Sequence, residues 1–320
     1  MRKLLLYIVT VLVIGAVDGR AAKYAGDAFS LGVGGRALAL GGAVIAGPFD
    51  ATTAYWNPAG MNRLKGRYAV FMHAETFGSL LNHDYLSYID ARPDDRSLIR
   101  AFGFYLYYLG GGGIKITDTL ATGRPFVVRE VSHGDYLLAA AISGRIGQSV
   151  DFGLTTRIIY RDIGTEKGYG LTVDAGLLYQ AHEYFNLGLM VTDITSGFIR
   201  YSGQTFDDGA NYETIYPTIR PALMAEYTYS DFTGRFLTSG EIKFENLRTA
   251  SQYWSGSTSL DTHFGWELGY REMAFGRVGF DIGRFTAGGG LDVSSVTIDF
   301  AYLHHSALNE TYRVSAGYRF

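Results

Sequence analysis

The sequence predicts an all-β fold, a single transmembrane antiparallel barrel of about fourteen strands with an N-terminal plug. Three observations carry this expectation. From Arg67 onward, apolar and polar residues alternate with a period of two through one stretch after another. The connections between those stretches sort by length, tight links on one side and long loops on the other. After residue 21 no uninterrupted apolar run of about 20 residues occurs, which excludes a crossing made by helices.

Taken in order, Met1-Arg2-Lys3 followed by the apolar run Leu4 to Val17 reads as a secretory signal peptide. Gly19-Arg20-Ala21 places small residues where a signal peptidase needs them, so cleavage is expected after Ala21. Residues 22–66 have a different character, small, apolar and low in charge. Gly35 to Ala46 predicts one short helix weakened by its glycines, and Asn57-Pro58 predicts a turn. Such a segment is a poor free linker and is expected to pack inside or beneath the main body as a plug or hatch.

The barrel is expected over residues 67–320, with strands at 68–76, 82–90, 98–108, 135–146, 149–161, 168–181, 184–193, 216–230, 233–246, 258–271, 274–282, 285–293, 296–304 and 311–320. Gly147-Gln148, His182-Glu183, Asp231-Phe232, Glu272-Met273 and Ser294-Ser295 are tight links after even-numbered strands and fit periplasmic turns. Leu109 to Gly134, Thr195 to Ile215 and Leu247 to Ser257 are long and fit external loops. In the sixth strand Leu171, Val173, Ala175, Leu177 and Tyr179 alternate with Thr172, Asp174, Gly176 and Leu178. In the tenth, Leu260, Thr262, Phe264, Trp266, Leu268 and Tyr270 alternate with Asp261, His263, Gly265, Glu267, Gly269 and Arg271, a second face too ionisable for a dry core. The closing strand sets Tyr312, Val314, Ala316, Tyr318 and Phe320 toward lipid, and its aromatic last residue suits barrel assembly.

Arg157, Asp174, Glu226, Glu241, Lys243, Glu245, Asp261, Glu267, Arg271, Asp299, Arg313 and Arg319 are inward candidates, expected to form interstrand and plug-to-wall ion pairs. Tyr68, Tyr107, Tyr108, Tyr160, Tyr179, Tyr184, Phe185, Tyr229, Trp254, Tyr302 and Tyr318 fall near strand ends and predict the aromatic girdles. No constellation of catalytic residues, cofactor-binding motif or metal-ligand spacing emerges, so no enzyme is expected. His304-His305 point to opposite faces of a strand, and Gly110 to Gly113 with Lys115 lack the strand-to-helix setting of a phosphate loop. The chain has no cysteine, hence no disulfide or thiolate chemistry. Its net charge of −3 gives no reason to expect nucleic acid.

Phe29 to Gly60 (FSLGVGGRALALGGAVIAGPFDATTAYWNPAG) resembles the N-terminal signature of the PorV/PorQ family, a branch of the FadL-like outer-membrane barrels. Phe300 to Phe320 resembles that family's closing strands, and Phe275 to Leu291 its penultimate region. The resemblance implies a bacterial outer membrane, a fourteen-stranded barrel, and a hatch containing Gly34, Gly35, Gly41, Gly42 and the triplet Asn57, Pro58, Ala59. It also implies work with the type IX secretion system, binding or shuttling secreted cargo or supporting its surface attachment, with the long loops as contact sites. The alternative is a FadL-like transporter of hydrophobic small molecules. Outer-membrane lipid and the barrel-assembly machinery are partners under either reading, and no cofactor is implied.

Overall fold

A computed structural model describes residues 26–76, 80–93, 97–120, 122–203, 211–304 and 310–320. The expected signal peptide lies outside these residues. Among them, seventeen strand segments form one antiparallel sheet that closes on itself. One three-residue segment belongs to a loop and two wall strands are each interrupted, so the wall has fourteen strands. They are β1 (Gly66–Thr76), β2 (Leu81–Ala91), β3 (Ile99–Thr119), β4 (Pro125–Ile146), β5 (Val150–Asp162) and β6 (Lys167–His182). Next come β7 (Phe185–Thr192, resuming as Phe198–Tyr201) and β8 (Tyr212–Thr214, then Thr218–Tyr229). The remainder are β9 (Phe232–Lys243), β10 (Thr258–Tyr270), β11 (Ala274–Asp281), β12 (Arg284–Val293), β13 (Val296–Leu303) and β14 (Thr311–Arg319). Each pairs with its neighbours in sequence, and β14 returns to β1 with Ala316 opposite Phe71. Closure leaves no sheet edge, which is what permits strands to stand in a hydrocarbon layer.

Side-chain alternation decides which surface meets what. Phe102, Phe104 and Leu106 of β3 and Val314 and Tyr318 of β14 are exposed, while Met72, Tyr85 and Ile89 face inward and are fully buried. An exterior this apolar over an interior rich in ion pairs is the arrangement of a membrane barrel. The chain is a membrane barrel that crosses by strands. At the outer end Tyr108, Tyr136, Tyr160 and Tyr169 are successive register partners with ring centroids 4.9, 5.7 and 5.2 Å apart, a continuous tyrosine belt. Tyr184 with Tyr227 and Phe232 with Tyr270 mark the other end, where the short turns also lie.

The wall differs from expectation in two places. Leu109 to Gly134, expected as a loop, is a continuation of β3 and β4 into a long hairpin paired out to Thr119 and Pro125. Its register slips between Gly111 and Ile114 and again between Ile116 and Thr117, which erases the two-residue period that would have announced it. Residues 195–215 likewise contain paired strand, Phe198–Tyr201 against both β6 and the start of β8.

Candidate functional site

The segment from Gly26 to Leu64 runs inside the barrel from the outer mouth to the periplasmic end, and β1 then starts at Gly66. Its helix is shorter than the sequence suggested, Gly35–Ala39, because Gly41 and Gly42 take φ of 64° and 77° and turn the chain away. Side chains replace the missing secondary structure. Trp56 Nε1 donates to the Val33 carbonyl at 2.9 Å and the Tyr55 hydroxyl to the Phe29 carbonyl at 2.7 Å. Asn57 Nδ2 donates to the Ile45 carbonyl at 2.9 Å, and its Oδ1 accepts from the Ala59 amide, capping the 3-10 turn Pro58–Arg63.

The wall is shaped to receive this hatch. A Cβ built on Gly265 would stand 2.7 Å from the Leu40 carbonyl oxygen, on Gly279 2.6 Å from the Gly41 amide, on Gly288 2.6 Å from Ala39, and on Gly103 2.7 Å from the Met61 sulfur. Glycines on β10 and β11 therefore form windows where hatch backbone meets wall backbone, and those on β3 and β12 make room for the hatch side chains of Met61 and Ala39. The hatch also bridges the two strands that close the barrel. The Gly34 amide donates to Met72 Sδ at 3.0 Å and the Gly35 amide to Ser315 Oγ at 2.9 Å, and Met72 and Ser315 are register partners on β1 and β14.

Charge fixes the lower half. Glu267, buried on β10, accepts Arg36 through Nε at 2.9 Å and Nη2 at 2.6 Å, Arg277 Nε at 2.6 Å and Arg235 Nη1 at 2.7 Å. Arg277 continues to Asp299 at 2.5 Å, and Arg235 to Glu226 and Glu272. At the outer end burial pushes the Asp27 carboxyl up, with Lys243 pulling against it.

The hatch separates two cavities that share no lining residue. One, of about 700 Å³, opens among Arg63, Tyr68, Ser295 and Arg319 near the periplasmic end. The other, of about 320 Å³, lies among Leu31, Leu38, Trp56, Arg220, Lys243 and Arg313 toward the outer mouth. Past Ser30, Arg220 and Lys243 the outer cavity gives way to a small one of about 40 Å³, lined by Asp193, Ile215 and Tyr216, where the wall is broken at residues 193–197 of β7 and 215–217 of β8. Asp193 and Ser196 adopt φ of 57° and 53°, which no strand accommodates. Asp193 is held there by Arg157 Nη2 at 2.7 Å and the Thr172 hydroxyl at 2.8 Å, and Arg157 also binds Asp174 at 2.6 Å. On the lumen side the hatch's first turn covers the break, and a Cβ built on Gly26 would lie 2.9 Å from the Ile215 side chain.

Gly34, Gly35, Gly41, Gly42, Asn57, Pro58 and Ala59 all fall within this hatch, and Tyr312, Val314, Ala316, Tyr318 and Phe320 all face outward. Of the expected inward charges, Arg157, Asp174, Glu226, Glu241, Lys243, Glu267, Asp299 and Arg313 meet in the lumen. Arg271 does not, being exposed against Asp231 in the turn after β10, while Arg319, the last residue of β14, borders the periplasmic cavity and donates to the Ser294 carbonyl at the rim. Tyr107 is no girdle residue, since odd-numbered side chains on β3 point inward and it stacks beneath Tyr55. Arg36, Arg235 and Arg277 were not among the expected inward charges, although the last two occupy inward positions of their strands. Among the described residues no cluster suited to a metal ion occurs.

Solved structures share this architecture. The CymD monoaromatic hydrocarbon channel is similar over 91% of this chain and 98% of that one, at 12% identity and a TM-score of 0.55. The TodX monoaromatic hydrocarbon channel, in a mutant form, is similar over 90% of this chain and 99% of its own, at 11% identity and a TM-score of 0.54. The fold is FadL-like. No protein-family model and no curated protein sequence matches the chain.

Proposed function

We propose that this FadL-like barrel moves small hydrophobic molecules across the outer membrane, taking them in at the outer cavity and releasing them sideways through the interrupted wall. The observation that carries the reading is the break at residues 193–197 and 215–217, which lines a small cavity of about 40 Å³ sharing Ser30, Arg220 and Lys243 with the outer cavity, and which the hatch's first turn covers. Passage straight down the lumen would require the whole hatch, with its glycine windows and the Glu267 cluster, to leave. Passage sideways requires only the turn at Asp27–Phe29 to shift. The similar folds of two hydrocarbon channels support the same reading.

The chain lacks cysteine, so the pair Gly26→Cys and Ile215→Cys can form only the intended disulfide. Proteoliposome uptake of a volatile aromatic should fall when the pair is oxidised and recover with reductant. Uptake indifferent to oxidation would sink the sideways route.

Cargo handling in type IX secretion is supported by a different feature, the β3–β4 hairpin, which extends past the Gly110 level where β2 ends. Ile114, Phe126, Val127 and Val128 on it are exposed, an apolar display suited to a protein partner. Of the second long loop expected to make such contacts, residues 204–210 lie outside the described residues.

A further inference from the structure

The register aligns a row of inward residues around the wall: Glu226, Arg235, Glu267, Arg277, Gly288, Ala301, Arg313, Ala74 and His83 are successive partners. The first four alternate in sign, and each arginine among them binds a carboxylate beside it. Arg313 breaks the rule, because its neighbours in the row are alanines. It is 2% exposed, and among the described residues its only hydrogen bond is from Nη2 to the Leu31 carbonyl at a long 3.2 Å. Among the described residues its Nε and Nη1 have no partner, nor do the two ring nitrogens of buried His83 across Ala74.

Arg313 borders the outer cavity together with Arg220, Lys243 and Arg284. The carboxylates there are committed: Glu241 is shared by Arg220 and Lys243, each at 2.7 Å, and Asp281 lies 3.0 Å from His263. The rest of the lining includes Leu31, Leu38, Trp56 and Leu303. A buried guanidinium with idle donors is costly unless an anion completes it. We propose that the outer cavity binds a compact organic acid, its carboxylate taken by Arg313 in place of the Leu31 carbonyl and its apolar body lying against Trp56 and Leu38. This rests on the channel reading and narrows its substrates to molecules with one negative charge on a small apolar frame. The cavity of about 320 Å³ suits a body the size of an aromatic ring better than a long chain.

The test is calorimetric titration of the full barrel in maltoside detergent with benzoate, toluene and inorganic phosphate. Benzoate should bind most tightly, and Arg313→Met should weaken it about tenfold while leaving toluene unchanged. Ala301→Asp, which supplies the missing carboxylate in the row, should weaken benzoate similarly with Arg313 still present. Folding of each variant is checked by heat-dependent migration on gels, and the second variant serves if the first does not fold. Undiminished benzoate binding in a folded variant overturns the proposal, as does toluene or phosphate binding the wild type as tightly as benzoate. Benzoate binding without any transport would uphold this site and remove the channel reading instead.

Discussion

Arg36 of the hatch and Glu267 of the wall meet in a two-pronged ion pair, Nε to Oε2 at 2.9 Å and Nη2 to Oε1 at 2.6 Å, although 231 residues separate them. The geometry is the parallel fork that makes arginine and carboxylate pairs directional, and it fastens the short helix against β10. Arg36→Met should therefore loosen the hatch without opening the wall, giving more frequent conductance steps in planar bilayers than the wild type. Glu267→Gln should do more, since Arg235 and Arg277 then also lose their anion, at a cost of about 3–5 kcal/mol. The check is the temperature at which the folded gel band disappears.

Wall glycines give a second prediction with an internal control. Gly265→Val places a branched side chain against the Leu40 carbonyl, while Gly276→Val, one strand over, projects where nothing lies within 4 Å. The first should cost about 1–3 kcal/mol by overpacking and expose the hatch to added protease. The second should leave protease resistance as it was.

Acidification should tighten the outer turn of the hatch. Docking raises the Asp27 carboxyl above its ordinary 3.8, so the docked turn holds the proton more strongly than a free one. The resulting stabilisation is fully present below the ordinary value and is lost as pH rises through the raised one. A spin label at Ala28 should accordingly become less mobile as pH falls, and Asp27→Asn should remove that dependence.

The β3–β4 hairpin can be removed to separate the two functional readings. Replacing residues 112–132 by a two-residue turn should leave the folded gel band and aromatic uptake unchanged, because β4 to β5 pairing begins only at Gly134. Loss of a co-purifying secreted protein in that variant would place cargo contact on the hairpin. Loss of uptake would show that the hairpin serves transport.

The wall was legible because lipid outside and ion pairs inside impose strict alternation on every strand, as in Leu171 to Tyr179. Legibility failed where register slips or backbone breaks, at Gly111 to Ile114 and at Asp193 to Gly197. The list of inward charges was largely readable, yet the pairing was not. Glu267 gathers Arg36, Arg235 and Arg277 from three distant segments, and only closure of the barrel sets them around one carboxylate. Arg313 read as one more lumen charge; its isolation follows from alanines on two other strands.

The contacts of Gly34 with Met72 and of Gly35 with Ser315 impose an order in time. These consecutive amides hold opposite sides of the seam where the first and last strands join. The hatch precedes every strand in the chain, so it can wait in the half-formed sheet, take Met72 first, and receive Ser315 when the final strand arrives. A chain whose hatch came late would have to thread a finished cylinder that fits it at contact distance at Gly265, Gly279 and Gly288. Chains should therefore close their seam faster with the hatch present than without it.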